Sequence, residues 1–219
     1  MDLSSSLTLR VFVLSDFEEN CYLLFNKERR DCVIIDPGAH PSELVEFIKD
    51  NNLSPLGVLI THAHWDHIAG LESLTSEWPS VQVYVGRHDL EALADPEKNL
   101  SLFINSPISL HLDDIHAVKD QDEIAFESYH FKVYETPGHT PGHVVYQLHA
   151  PTSELWIFTG DLIFLGSVGR TDFIGSSHRQ LLDSIHSKIL TLPDDAVLYP
   201  GHGPSTTVYQ EKTHNIFLK

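Results

Sequence analysis

At 219 residues, with 42% hydrophobic and 21% charged residues, the chain can bury a sizeable core and has the composition of a folded globular protein. Its formal net charge of -17 repels phosphate backbones and anionic membrane surfaces, which sets nucleic-acid and membrane partners aside. No run approaches bilayer-spanning length, and Met1 to Ser6 has neither a basic nor an apolar leader segment. If Cys21-Phe25 and Cys32-Asp36 pair as a hairpin, the two cysteines do not face each other, so reduced, cytoplasmic surroundings are expected.

Leu7 to Leu14, Asn20 to Phe25 and Asp31 to Asp36 alternate or run apolar between polar turns and read as three antiparallel strands. Pro37-Gly38 ends the third, so Asp36 is expected either to brace neighbouring loops or to cap a turn. A helix from Pro41-Ser42 carries Leu44, Val45, Phe47 and Ile48 on one stripe and ends near Asn51-Asn52. Leu56 to Ile60 is the next strand, Ile68 to Trp78 a helix, Val81 to Val85 a strand, and Arg87 to Leu93 a short helix before an irregular or weakly helical stretch from Asp95 to Leu110. Glu123 to Phe126, Phe131 to Glu135, Val144 to Leu148 and Leu155 to Thr159 read as strands, Ser177 to Leu190 as an amphipathic helix, and Val197 to Tyr199 as a last strand. Two strand-rich halves predict two sheets packed together with helices outside, in a single domain over residues 1–219.

The chemistry concentrates after Leu56 to Ile60, in Thr61-His62-Ala63-His64-Trp65-Asp66-His67. In an extended segment His62, His64 and Asp66 share one direction while Ala63 and Trp65 point away, which places Trp65 in the core. His67 breaks the alternation, so one short loop can serve two metal ions. Three further candidates stand where strands end: His139 in Thr136 to His143, Asp161 after Thr159-Gly160, and His202 in Tyr199-Pro200-Gly201-His202-Gly203. A catalytic metal ion wants three N or O ligands and an open position. His62, His64 and His139 make one such set, Asp66, His67 and His202 the other, and Asp161 with its two oxygens can bridge them. A set of imidazoles and carboxylates without thiolates suits two divalent ions, zinc first, with iron or manganese also compatible. His143 is read as a supporting or packing residue. His40, His88, His111, His116, His130, His149, His178, His186 and His214 lack ligand spacing and are read as surface or capping residues, and Arg170 with Asp172 as a buried structural pair.

His-x-His-x-Asp-His at His62 to His67, followed by Pro-Gly-His-Thr, Gly-Asp and Pro-Gly-His-Gly, resembles the metallo-β-lactamase superfamily over about Asp36 to His202. The resemblance implies an αββα sandwich, two packed mixed β-sheets with helices on the outer faces, and a dinuclear site at one edge. Within the superfamily the chain is most similar to the glyoxalase II group, the hydroxyacylglutathione hydrolases, on Thr61 to Gly70, Thr136 to His143, Gly160 to Phe164, Gly169 to Phe173 and Glu211 with Asn215 to Leu218, where Ile216 replaces the family's Pro. Full-length members carry a helical C-terminal region that grips glutathione, and here seventeen residues follow His202, which leaves the thiol carrier open.

The implied function is a dinuclear metal-dependent hydrolase acting on S-acylglutathione or a related thioester through a metal-bridging hydroxide. Two ions roughly 3.5 to 4 Å apart lower the pKa of a shared water toward about 7, and Asp66, a ligand, also accepts its hydrogen bond and aims it at a carbonyl carbon. A thiolate with a pKa near about 8.5 leaves without a strong protein acid, which favours thioesters over amides, since the motif loops hold no poised Lys or Tyr. The alternatives are a lactonase or esterase on the same site, and a mononuclear-iron persulfide dioxygenase.

Overall fold

The computed structural model describes residues 7–127, 129–148 and 155–219. The expectations for Met1 to Ser6 and for His149 lie outside the described residues.

The first sheet holds β1 (Leu7–Leu14), β2 (Glu19–Asn26), β3 (Asp31–Ile35), β4 (Ser54–Ile60), β5 (Gln82–Gly86) and β6 (Ile115–Val118), adjacent in chain order. Its first two pairings are antiparallel and the other three parallel. The second sheet is built from β7 (Glu123–Phe126), β8 (Tyr129–Glu135), β9 (Val144–Leu148) and β10 (Trp156–Gly160), followed by β13 (Val197–Pro200) and β14 (Thr206–Thr207). Its order is β14-β13-β10-β9-β8-β7, and β11 (Ile163–Phe164) with β12 (Ser167–Val168) forms a separate hairpin.

Alternation along β2 shows how the layers form. Cys21, Leu23 and Phe25 face a core shared with Leu44 and Ile48 of α1 (Ser42–Asp50) and Leu71 and Leu74 of α3 (Leu71–Glu77), whereas Tyr22 and Leu24 face the second sheet and pack with Val133, Tyr146 and Phe158. The outer face of the second sheet, with Val145, Ile157 and Leu198, is covered by Leu181 of α5 (His178–Ser184), by Ile185 and Ile189 beyond it, and by Val208 of α6 (Val208–His214). This is the αββα sandwich. Cys21 and Cys32 are free and buried, with Cys32 opposite Phe25 as the hairpin register requires. Among the described residues no helix is long and apolar enough to cross a membrane.

Several boundaries depart from expectation. The helix expected over Ile68 to Trp78 is two pieces, α2 (Trp65–Ile68) and α3, because the Gly70 N–H donates to the Pro37 carbonyl instead of continuing the helical ladder. The helix expected from Ser177 to Leu190 widens after Ser184 into a π-turn, with the Leu190 N–H reaching the Ile185 carbonyl. Strand β6 lies between Leu110 and Glu123, where no element is expected from the sequence, and α4 (Leu90–Ala94) begins after a turn at Arg87 to Asp89.

Candidate metal centre

In the first sheet β3, β4 and β5 run in one direction, and their ends deliver Asp36, His62 and Asp89 to one edge. In the second sheet β8, β10 and β13 share a direction, because β9 is antiparallel to both β8 and β10 and β13 is parallel to β10. Their ends deliver His139, Asp161 and His202. Ligand loops thus meet where like-directed strands stop, the crevice that such topology leaves open.

Two clusters form there. His62 Nε2 and His64 Nδ1 lie 3.1 Å apart, and His64 Nδ1 and His139 Nε2 lie 2.9 Å apart. The second cluster joins His202 Nε2 to Asp66 Oδ2 at 3.3 Å and His67 Nε2 to the same oxygen at 4.0 Å. Asp161 stands between them, with Oδ1 3.5 Å from His67 Nε2 and Oδ2 3.5 Å from His139 Nε2 and 3.8 Å from His202 Nε2. Every residue expected from the sequence as a ligand is in one of these sets.

The outer nitrogens explain the inward ones. The Nδ1–H groups of His62, His67, His139 and His202 donate to Thr61 Oγ1, Asp36 Oδ2, the Arg170 carbonyl and the Phe17 carbonyl at 3.1, 3.0, 2.8 and 3.0 Å. Each ring is therefore fixed with its Nε2 turned inward, the arrangement expected behind a metal-binding imidazole. Asp36 braces as anticipated: its oxygens also accept the Thr61 N–H and hydroxyl at 2.7 and 2.6 Å.

Electrostatics agree with the geometry. Burial and neighbouring imidazoles push His62 well below its ordinary pKa, and burial first, then His139, brings His64 down to about 3, so both are neutral and able to offer lone pairs. Burial would also lower His67, but the carboxylates of Asp66, Asp161 and Asp36 outweigh it and raise it well above the usual value. This cluster therefore calls for positive charge at its centre. Among the described residues His67 Nε2 and Asp161 Oδ1 are buried with no hydrogen-bond partner, and both point into the gap between the sets. Donor type, convergence and these orphaned atoms all fit a pair of divalent ions.

Two glycines make the approach possible. A Cβ on Gly160, whose φ is 48°, would sit 2.3 Å from Thr61 Oγ1. A Cβ on Gly201 would sit 2.3 Å from Asp161 Oδ1 and 2.6 Å from His67 Cε1.

Three expectations need correction. Asp66 is not part of an extended segment; with His67 it lies in the helical turn of α2, which starts after His64, so only His62 and His64 alternate. Trp65 is consequently not core but half-buried, lines the pocket and packs edge-on against Phe17 at 4.8 Å. Arg170 and Asp172 do pair, at 3.0 and 2.8 Å, but are exposed at the pocket rim. His143 is buried, is hydrogen-bonded through Nδ1 to Thr136 Oγ1 at 2.9 Å and stacks on His62 at 5.3 Å. The described histidines read as surface residues are exposed, except His116, which is half-buried against Tyr84.

Other supports were missed. Asp89, 1% exposed, accepts from the Ala63 N–H, the Thr140 hydroxyl and the Gly142 N–H at 3.0, 2.7 and 2.7 Å, tying the first ligand loop to the loop of His139. Asn20 donates to the carbonyls of Pro200 and Gly203 at 3.0 and 2.7 Å and so holds the turn of His202. Asn20 stands at the start of β2 and Asp89 in the turn between β5 and α4, and that position is the one signal the sequence offers for them.

The chain belongs to the metallo-beta-lactamase superfamily, a superfamily of metallo-hydrolases whose sequence model matches residues 14–202. It is 36% identical over 201 residues to the probable metallo-hydrolase YqgX of Bacillus subtilis, covering 92% of each chain. It is 31% identical to the hydroxyacylglutathione hydrolase GloC of Haemophilus influenzae, covering 97% of this chain and 98% of that one. The human mitochondrial persulfide dioxygenase ETHE1 is 33% identical over 89% of this chain and 69% of its own. Among solved structures the BLEG-1 B3 metallo-beta-lactamase superposes with a TM-score of 0.90 at 36% identity, over 97% of this chain and all (100%) of that one. TTHA1623 in a di-iron-bound form superposes at 0.82 and 32% identity, over 95% and 100%.

Proposed function

We propose that this chain is a dinuclear metal-dependent thioester hydrolase of the glyoxalase II type, acting on S-acylglutathione or a related thioester in reduced, cytoplasmic surroundings. The observation that carries the reading is the convergence of two separate three-residue sets on one carboxylate, Asp161, whose buried Oδ1 has no hydrogen-bond partner. His62, His64 and His139 would hold one ion, Asp66, His67 and His202 the other, and Asp161 both. Zinc is the proposed metal, and iron or manganese suits the same donors. Two such ions, when bound, supply Lewis acidity and bring the pKa of a water toward about 7.

The chain's own groups supply orientation and proton handling. Asp66 lines the pocket with Oδ2 fixed by His202, and its carboxylate is held below the usual range: burial opposes this, but His67 and the His202 hydrogen bond prevail. It stays ionised and able to accept the hydrogen bond of the attacking water. The water oxygen bonds to the acyl carbon and the C–S bond breaks, so the products are a carboxylic acid and a thiol. Neither Lys nor Tyr lines the cavity, so among the described lining residues no ammonium or phenol stands ready to protonate an amine, whereas a thiolate with a pKa of about 8.5 needs none.

The likeness to GloC over nearly the full length of both chains supports this substrate class. The likeness to a persulfide dioxygenase supports a second reading, oxidation at a single iron. The second ligand set, which a mononuclear site does not require, favours the first. The test is a panel of acyl-thioesters including S-lactoylglutathione, with lactones and glutathione persulfide alongside, given to metal-loaded protein. Failure on every thioester sinks the proposal; lactone opening alone redirects it to a lactonase, and oxygen uptake with persulfide to the dioxygenase.

A further inference from the structure

The cavity over the metal centre, of about 450 Å³, falls within the usual range for small-ligand pockets. Its floor is polar, formed by His64, Asp66, His139, Asp161 and His202. Its walls are Phe17, Trp65, Leu100, Phe103, Phe164 and Phe173, with Ile104 beside them, so apart from Arg170 the lining beyond the reacting centre is apolar. One cation, Arg170, lines it among the described residues, and its guanidinium is paired with both oxygens of Asp172 and stacked on Phe173 at 4.6 Å. A carrier such as glutathione, with two carboxylates, finds no unpaired positive charge on these walls.

One wall is a loop with a fastened neck. Buried Asn99 donates from Nδ2 to the carbonyls of Ala92 and Ile108 and accepts the Ser101 N–H, while Ser101 Oγ accepts the Ile108 N–H. Beyond this neck Leu100 and Asn105, at φ of 66° and 54°, are both left-handed, and the turn between them exposes Leu102 at 54% and Phe103 at 71%. A leucine in that region persists only where its surroundings hold it there, and exposed aromatic rings contribute little to folding. The wall is registered to the ligands: the Trp65 N–H donates to the Asn99 carbonyl at 2.8 Å, and the Phe17 carbonyl holds His202. Exposed apolar side chains are thus held at the rim of the reacting centre by a loop whose neck is hydrogen-bonded in place.

We infer that this apolar funnel is an acyl-chain subsite, by which the enzyme selects thioesters for the length of an uncharged apolar acyl group and not for the charges of the thiol carrier. The inference rests on the hydrolase reading above and names its substrate class.

The test uses metal-loaded protein and a series of S-acyl-N-acetylcysteamines from acetyl to hexanoyl, with S-lactoylglutathione for comparison. In parallel, binding of the non-hydrolysable S-methyl to S-hexyl thioethers of N-acetylcysteamine is read by tryptophan fluorescence, since Trp65 lines the cavity. The expected result is a rise in both kcat/KM and thioether affinity of about threefold per methylene while the chain stays within the walls, with hexanoyl exceeding lactoylglutathione. Phe103→Ser, at an exposed position where the fold is not at stake, is expected to flatten both slopes. Hydrolysis with no dependence on chain length overturns the subsite and leaves the hydrolase reading standing. Thioether affinity that climbs without hydrolysis of any thioester does the reverse.

Discussion

Asp89 gives the sharpest test of how the fold holds the metal centre. Its carboxylate touches no residue of either ligand set through a side chain, yet it receives three donors from the two loops that carry His62, His64 and His139. Asp89→Ala leaves the N–H groups of Ala63 and Gly142 and the hydroxyl of Thr140 buried without an acceptor. Each such orphan costs about 1–3 kcal/mol, and water entering the vacated volume recovers part, so the net loss is about 3 kcal/mol. For a chain of this length that lowers the melting temperature by roughly 6–12 °C. Asp89→Asn recovers about half of the loss, since its one carbonyl oxygen serves Ala63 and Thr140 while its amide nitrogen faces the Gly142 N–H. The assay is thermal unfolding by circular dichroism in chelator, with metal affinity measured by competition; loosened loops reduce affinity by roughly 10-fold or more. Melting within about 1 °C of the parent together with unchanged metal affinity would refute the reasoning.

Gly201→Ala places a methyl group among Asp161, His67 and the second ligand set, so metal content should fall to about one ion per chain with the far-UV spectrum intact. Asn20→Ala removes both side-chain bonds to the turn of His202 and should cost about 1–2 kcal/mol in urea unfolding, with loss of activity exceeding the loss of folded protein. Burial disfavours the charge of Asp120, but Lys188 and the Glu135 N–H prevail and hold its carboxyl below the ordinary range. A depressed folded pKa contributes stability above the unfolded value of about 3.9 and loses it as pH falls through the folded value. Asp120→Asn should therefore destabilise by about 0.5 kcal/mol at neutral pH, a small effect because the pair is a third exposed, and the difference from the parent should vanish at strongly acidic pH.

What the sequence made legible follows from the range of the interactions involved. β1 lies over Leu7–Leu14 as expected, because alternation along one strand is a local signal. The candidate ligands were legible because His62 to His67 form one short run and His139, Asp161 and His202 each follow a glycine where a strand ends. Asp89 was not, because Ala63 and Gly142 stand 26 and 53 positions away and nothing local marks the meeting. Trp65 was misplaced for a different reason: treating the loop as extended throughout sends it inward, whereas the helical turn of α2 swings it to the pocket beside Phe17. The apolar walls likewise come from distant loops, so Phe17, Phe103 and Phe173 read as ordinary hydrophobic residues until the fold gathers them.

The most direct measurement is metal content by elemental analysis of purified protein, followed on the same sample by hydrolysis of S-lactoylglutathione and acyl-thioesters, against a His64→Ala, Asp161→Ala double variant. The account predicts about two divalent ions per chain and thioester hydrolysis that the double variant loses along with its metal. About one iron per chain and no hydrolysis of any thioester would contradict it.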